Sequence, residues 1–110
     1  MERKYSKNAI NGIYYTIQHS NLSFQEKYLD KIKELSDSDL ISKKKYAMTF
    51  DRVLIGKTGK QKYGEQRFYD SIEKKLKYYP FINIDSVQFY RKLLGLDSLN
   101  LNKKTTLIFK

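Results

Sequence analysis

The sequence predicts an α+β domain spanning residues 1–110: three N-terminal helices, a glycine-rich loop, a β-hairpin, a C-terminal helix and a last strand that can add to the hairpin edge. Three observations point there. Apolar residues recur at three- and four-residue intervals through the first half of the chain. Glycines at 56, 59 and 64 then interrupt that pattern. Beyond them, strand-favouring aromatics flank Glu73-Lys74-Lys75, and Pro80 closes the segment.

The first helix reads from Ser6, a suitable N-cap, to Ser20. Ala9, Ile10, Ile13, Tyr14 and Ile17 share one face. Gly12 weakens it by ~1 kcal/mol relative to alanine. Gln18 and His19 fall in its last turn. After a turn of about three residues, Ser23 and Glu26 match the S-x-x-E capping box. Phe24, Tyr28, Leu29, Ile32 and Leu35 then form the apolar stripe of a second helix, and so short a connection predicts an antiparallel pair. Ser36-Asp37-Ser38-Asp39 breaks the pattern. Ser42 caps a third helix from Lys43 to about Ile55, with Tyr46, Ala47, Phe50, Val53 and Leu54 facing the core. Gly56 suits its left-handed end. Lys43, Lys44 and Lys45 sit in the first turn, the wrong end for the helix dipole, which hints at a functional basic patch.

Residues 67–82 fit two readings. Phe68, Ile72, Leu76 and Tyr79 have helical spacing, whereas Phe68-Tyr69 and Leu76–Tyr79 also make two strands around a turn. Asp85 or Ser86 then caps a helix through Val87, Tyr90, Leu93 and Leu94, ended by Gly95. Thr105–Phe109 reads as the last strand.

The composition narrows the function classes. The chain has no cysteine, so disulfides and thiolate metal sites are excluded. It has one histidine, too few for an ordinary zinc site, and we expect no metal and no cofactor. No apolar run approaches the ~20 residues of a membrane span. MERKYSKNAI lacks the apolar stretch of a signal peptide, which leads us to expect a cytoplasmic protein, or one whose targeting segment has been removed. The net charge is +10 and uneven. Residues 1–42 are neutral, residues 43–77 carry +7 and residues 78–110 carry +3. A positive field centred on 43–77 attracts nucleic acid, other phosphates or an acidic protein. Lysine-rich composition selected for solubility explains the same numbers.

Candidate site residues cluster around Asp51–Phe68. Asp51 is the natural acid to orient His19 as a general base, if helices one and three pack together. Arg52, Lys60 or Arg91 can stabilise developing negative charge. Tyr63 can donate a proton or stack. Gln18, Gln61 and Gln66 can fix a ligand through two-sided amide bonding. Each has a structural alternative: a helix-end histidine as a cap, Asp51 and Arg52 as a loop-holding pair, and glutamines satisfying backbone in a tight turn. Gly56-Lys57-Thr58 is not a phosphate loop, because the motif requires a glycine at the position Asp51 occupies.

Asp51-Arg52-Val53, Gly59-Lys60-Gln61, Tyr63-Gly64 and Gln66 resemble the DRV…GKxQxYGxQ signature of an uncharacterised bacterial family, catalogued as domain of unknown function 6624. Ile17-Gln18-His19-Ser20 resembles its IQHA motif, and Arg91 with Gly95-Leu96 its closing R…GL. The resemblance covers about Ile13 to Leu99. It departs at Glu65, where the family has a small hydroxyl residue, and at Asn21, often an acid there. It implies the hairpin reading of 67–79 and a set of candidate residues, but no activity. Three classes therefore stand open: a binding domain for an anionic partner through the 43–77 surface, a metal-independent hydrolase or nuclease with His19 as general base, and a protein-interaction module such as an immunity or adaptor protein.

Overall fold

The computed structural model describes residues 7–101. The fold is α+β. Its helices are α1 (Lys7–Gln18), α2 (Leu22–Asp37), α3 (Lys43–Thr58) and α4 (Val87–Leu93), the last entered through a 3₁₀ turn at Ile84–Ser86. One antiparallel hairpin, β1 (Arg67–Asp70) with β2 (Lys75–Tyr78), lies between α3 and that turn. The Ser6 cap and the Thr105–Phe109 strand expected from sequence lie outside the described residues.

The three long helices are held by one apolar cluster of Ile10, Tyr14, Ile17, Ile32, Leu35, Ile41 and Tyr46. Phe24, Tyr28, Leu29 and Phe50 pack around it. α2 is antiparallel to both neighbours. Its start meets the end of α3, where Leu22 packs on Gly56, and its end meets the start of α3, where Lys43 Nζ lies 2.8 Å from the Ser36 carbonyl. α1 and α3 therefore run parallel. The Tyr14 hydroxyl donates to the Lys45 carbonyl, and one turn further along each helix the Thr49 hydroxyl donates to Gln18 Oε1, both at 3.4 Å.

Two helix ends differ from expectation. The N-cap of α2 is Asn21, whose side chain accepts from the Phe24 N–H at 2.9 Å; Ser23 lies inside the first turn, so the capping box is not used. α3 runs past Gly56 to Thr58 and is capped by Gly59 at φ 78°. Gly56 is helical, and its missing side chain makes the space Leu22 occupies. Ser42 caps α3 as expected, accepting from the Lys45 N–H. Before α4 the Asn83 side chain caps the 3₁₀ turn, while Ser86 makes no side-chain cap bond.

The hairpin pairs Arg67 with Tyr78, Phe68 with Lys77, Tyr69 with Leu76 and Asp70 with Lys75. Asp70 builds the turn: its Oδ1 accepts from the Ile72 and Glu73 N–H groups. Lys74 takes the left-handed conformation at φ 54°. Among the described residues, no helix is long and apolar enough to cross a membrane.

Candidate functional site

The loop from Gly59 to Gln66 folds back against α3 around a single carboxylate. Asp51 is fully buried, and its two oxygens accept from the backbone N–H groups of Lys62 (2.8 Å), Tyr63 (2.9 and 3.2 Å) and Glu65 (3.0 Å). A chain reversal leaves several N–H groups pointing inward without strand or helix partners, and one carboxylate satisfies three of them. Burial pushes the Asp51 carboxyl above its usual range, and the three N–H groups oppose that shift. Gly64 takes φ 82° at the turn, under the Leu99 and Phe81 side chains.

Gln61 is the second fastener. It is fully buried, with every amide function used. Its Nε2 donates to the carbonyls of Gln66 and Tyr79, and its Oε1 accepts from the Gln66 N–H. Its backbone bridges to the Pro80–Ile82 segment, tying the loop to the chain beyond the hairpin. The Gln66 side chain reaches back to the Met48 carbonyl of α3 at 2.9 Å.

Arg91 is the third. Buried on α4, it donates from Nη1 to the Tyr63 carbonyl (2.9 Å) and to the Glu65 carboxylate (2.6 Å), and from Nε to the Asp97 carbonyl (2.6 Å). Lys44 approaches the other oxygen of Glu65 at 3.8 Å. The Tyr63 ring meets Phe50 edge-on, and burial pushes its phenol up to about 12, which keeps the hydroxyl protonated at neutral pH. Lys62 Nζ lies over three rings, those of Tyr90 (4.8 Å), Tyr63 (5.3 Å) and Phe50 (5.5 Å).

The structure thus gathers Asp51, Gln61, Tyr63, Gln66 and Arg91 and leaves four other candidates elsewhere. His19 follows the end of α1 as an exposed residue, with its ring 4.2 Å from that of Tyr15. Asp51 does not orient it. Thr49 is the residue of α3 that faces α1, and Asp51 lies two residues on, about 200° round the helix. The carboxylate consequently points to the loop, and its acceptors are occupied there. Arg52 and Lys60 are exposed and form no ion pair among the described residues. Gln18 sits in the α1–α3 seam, where its Oε1 accepts from Tyr14 and Thr49.

Sequence reasoning did not single out Glu65 as the partner of Arg91, Lys62 as a half-buried cation over aromatics, or Gln88, whose amide clamps the Leu99 backbone through both its N–H and its carbonyl. Glu65 alone carried a signal, as a departure from the motif the loop resembles. A cavity of about 610 Å³ lies between α1 and α2, lined by Ile10, Ile13, Ile17, Phe24, Tyr28 and others, with no member of the loop network in its wall. Among the described residues, no group of three or more His, Cys, Asp or Glu side chains could hold a metal ion.

No family model, curated protein or solved structure matches the chain.

Proposed function

We propose that the domain binds a phosphate-bearing partner, nucleic acid foremost, through the cations of α3 and the loop that follows it. The carrying observation is how the segment's charge is distributed. Lys43, Lys44, Lys57, Lys75 and Lys77 are each engaged by a carboxylate. Among the described residues, Lys45, Arg52 and Lys60 have no carboxylate partner. Lys45 lies against Asn11 and over the Tyr14 ring, and Arg52 follows it by two helical turns on the same side of α3. His19 stands at the end of α1 beside that seam, where a ring paired with Tyr15 offers a stacking surface. The resemblance to an uncharacterised bacterial family supports the residue set but supplies no activity.

The test uses a single-stranded oligonucleotide, with a free nucleotide as the second ligand. Binding should weaken with salt, each lost phosphate contact reducing the logarithmic slope by ~0.7. Lys45→Gln, Arg52→Gln and Lys60→Gln should each weaken binding and flatten the slope. Lys43 and Lys44 make poor probes, because their removal also strips partners from Asp37 and Glu65. Oligonucleotide binding that ignores salt, or that survives all three changes, rejects the reading. Equal affinity for the nucleotide and the oligonucleotide would narrow it to a small phosphate ligand.

A further inference from the structure

The hairpin presents apolar side chains that the fold does not use. Tyr69 and Leu76 are directly opposite in register, so they share one face, and they are 61 % and 51 % exposed. At the tip, Ile72 is 91 % exposed. The turn needs the Ile72 N–H, which Asp70 accepts, but makes no use of its side chain. A polar residue would serve there equally well, since turns draw on Gly, Asn, Asp and Ser. Three large apolar side chains grouped on one small projecting element are the pattern of a docking surface rather than of scattered surface hydrophobes.

Charge selects the occupant. Arg67 lies on the same face, beside Tyr78, and Lys74 stands at the tip; neither has a carboxylate partner among the described residues. A second copy of this chain would bring another +10 onto a basic surface. The chain's own residues 102–110 carry three lysines and no acid, so their charge does not complement Arg67 and Lys74. Nucleic acid has complementary charge but offers little to an isoleucine at a hairpin tip. An extended protein segment that alternates carboxylates with apolar side chains matches both features. Its apolar residues would cover Tyr69, Leu76 and Ile72, and its carboxylates would meet Arg67 and Lys74.

We propose that the 67–78 hairpin is a docking surface for an acidic, partly apolar extended segment of a protein partner, with Ile72 as its anchor. This is independent of phosphate binding at Lys45, Arg52 and Lys60, and the two readings can fail separately.

The probe is a short labelled peptide alternating glutamate and valine, measured against two controls: the same peptide with serine replacing valine, and a lysine–valine peptide. The glutamate–valine peptide should bind saturably, and Ile72→Ser and Leu76→Ser should each weaken it by about tenfold or more, equivalent to ~1.4 kcal/mol. Lys60→Gln should leave it unchanged. Equal binding of the glutamate–serine peptide would reduce the surface to charge alone and overturn the proposal, as would tight binding of the lysine–valine peptide or indifference to both hairpin variants. Sedimentation equilibrium closes the remaining route: self-association abolished by Ile72→Ser would assign the surface to a second copy and overturn it as well. Thermal unfolding of both variants should match the parent protein, so a loss of binding cannot be ascribed to misfolding.

Discussion

Arg91 and Glu65 form an ion pair at 2.6 Å with both side chains only 6 % exposed, and the same Arg91 nitrogen also holds the Tyr63 carbonyl. The pair therefore joins α4 to the loop that Asp51 joins to α3. Removing one partner strands a buried charge, which costs ~3–5 kcal/mol. Arg91→Ala should destabilise by that amount in urea unfolding. Arg91→Lys should also destabilise substantially, because an ammonium cannot serve three acceptors set out for a guanidinium fork. Adding Glu65→Gln to Arg91→Ala should recover part of the loss, because no lone carboxylate then remains. An additive double variant would show that the pair is not coupled.

Asp51 answers for three loop N–H groups. Asp51→Ala should leave them without partners, at ~1–3 kcal/mol for each buried group that water cannot reach. Asp51→Asn retains one acceptor oxygen but places an NH₂ against backbone donors, and should fall between the parent and alanine. Hydrogen exchange at Tyr63 and Glu65 should accelerate in both. Unchanged exchange would mean that the loop is held by Gln61 and Arg91 without the carboxylate.

The glycines give a ranking. Gly64→Ala meets both a left-handed backbone at φ 82° and the Leu99 and Phe81 side chains, with Leu99 Cδ1 in the space the new carbon would take. It should cost well over ~1 kcal/mol. Gly56→Ala meets only the Leu22 side chain, which is 37 % exposed, and gains up to ~1 kcal/mol of helix propensity. It should lie close to neutral. Equal losses at the two positions would contradict the helical assignment of Gly56.

These positions also show what sequence could and could not deliver. The apolar stripes of α1, α2 and α3 were legible because burial on one face imposes its period: Ile10, Tyr14 and Ile17 are buried, as are Ile32, Leu35, Tyr46 and Val53. The end of α3 was misplaced because two glycines three residues apart offer equivalent caps, and the left-handed conformation falls on Gly59 rather than Gly56. Asn21 and Ser23 compete similarly for the α2 cap. That Asp51, Gln61 and Gln66 belong to one site was readable from their place in one stretch that leaves the end of a helix. Their purpose was not, because a buried polar residue that satisfies backbone and one that binds a ligand look alike until the partners are seen. For Gln61, every partner is backbone.

His19 separates scaffold from surface. It is exposed, and its ring contact is with Tyr15, itself 65 % exposed. His19→Ala should change stability by no more than ~0.5 kcal/mol. If the ring stacks on a base, the variant should weaken oligonucleotide binding without altering the salt slope, since no phosphate contact is lost. A large stability loss would give His19 a structural role that its exposure does not suggest.

Two carboxylates should move the stability of the domain in opposite directions with pH. Lys77 donates to Asp70, and with the Ile72 and Glu73 N–H groups it holds that carboxyl down at about 2, against 3.8 for the unperturbed group. A lowered folded value means that the contribution is present above the unfolded value and lost as pH falls from about 4 towards 2. Asp51 is shifted the other way by burial, so its contribution is full below 3.8 and declines as pH rises through its folded value. Asp70→Asn should therefore flatten the loss of stability between about pH 4 and 2, and Asp51→Asn should remove an opposing trend at higher pH. Carboxyl NMR titration assigns the two groups directly. Asp70 should titrate below the free side chain and Asp51 above it. Reversal of that order would mean that the N–H groups around Asp51 outweigh its burial.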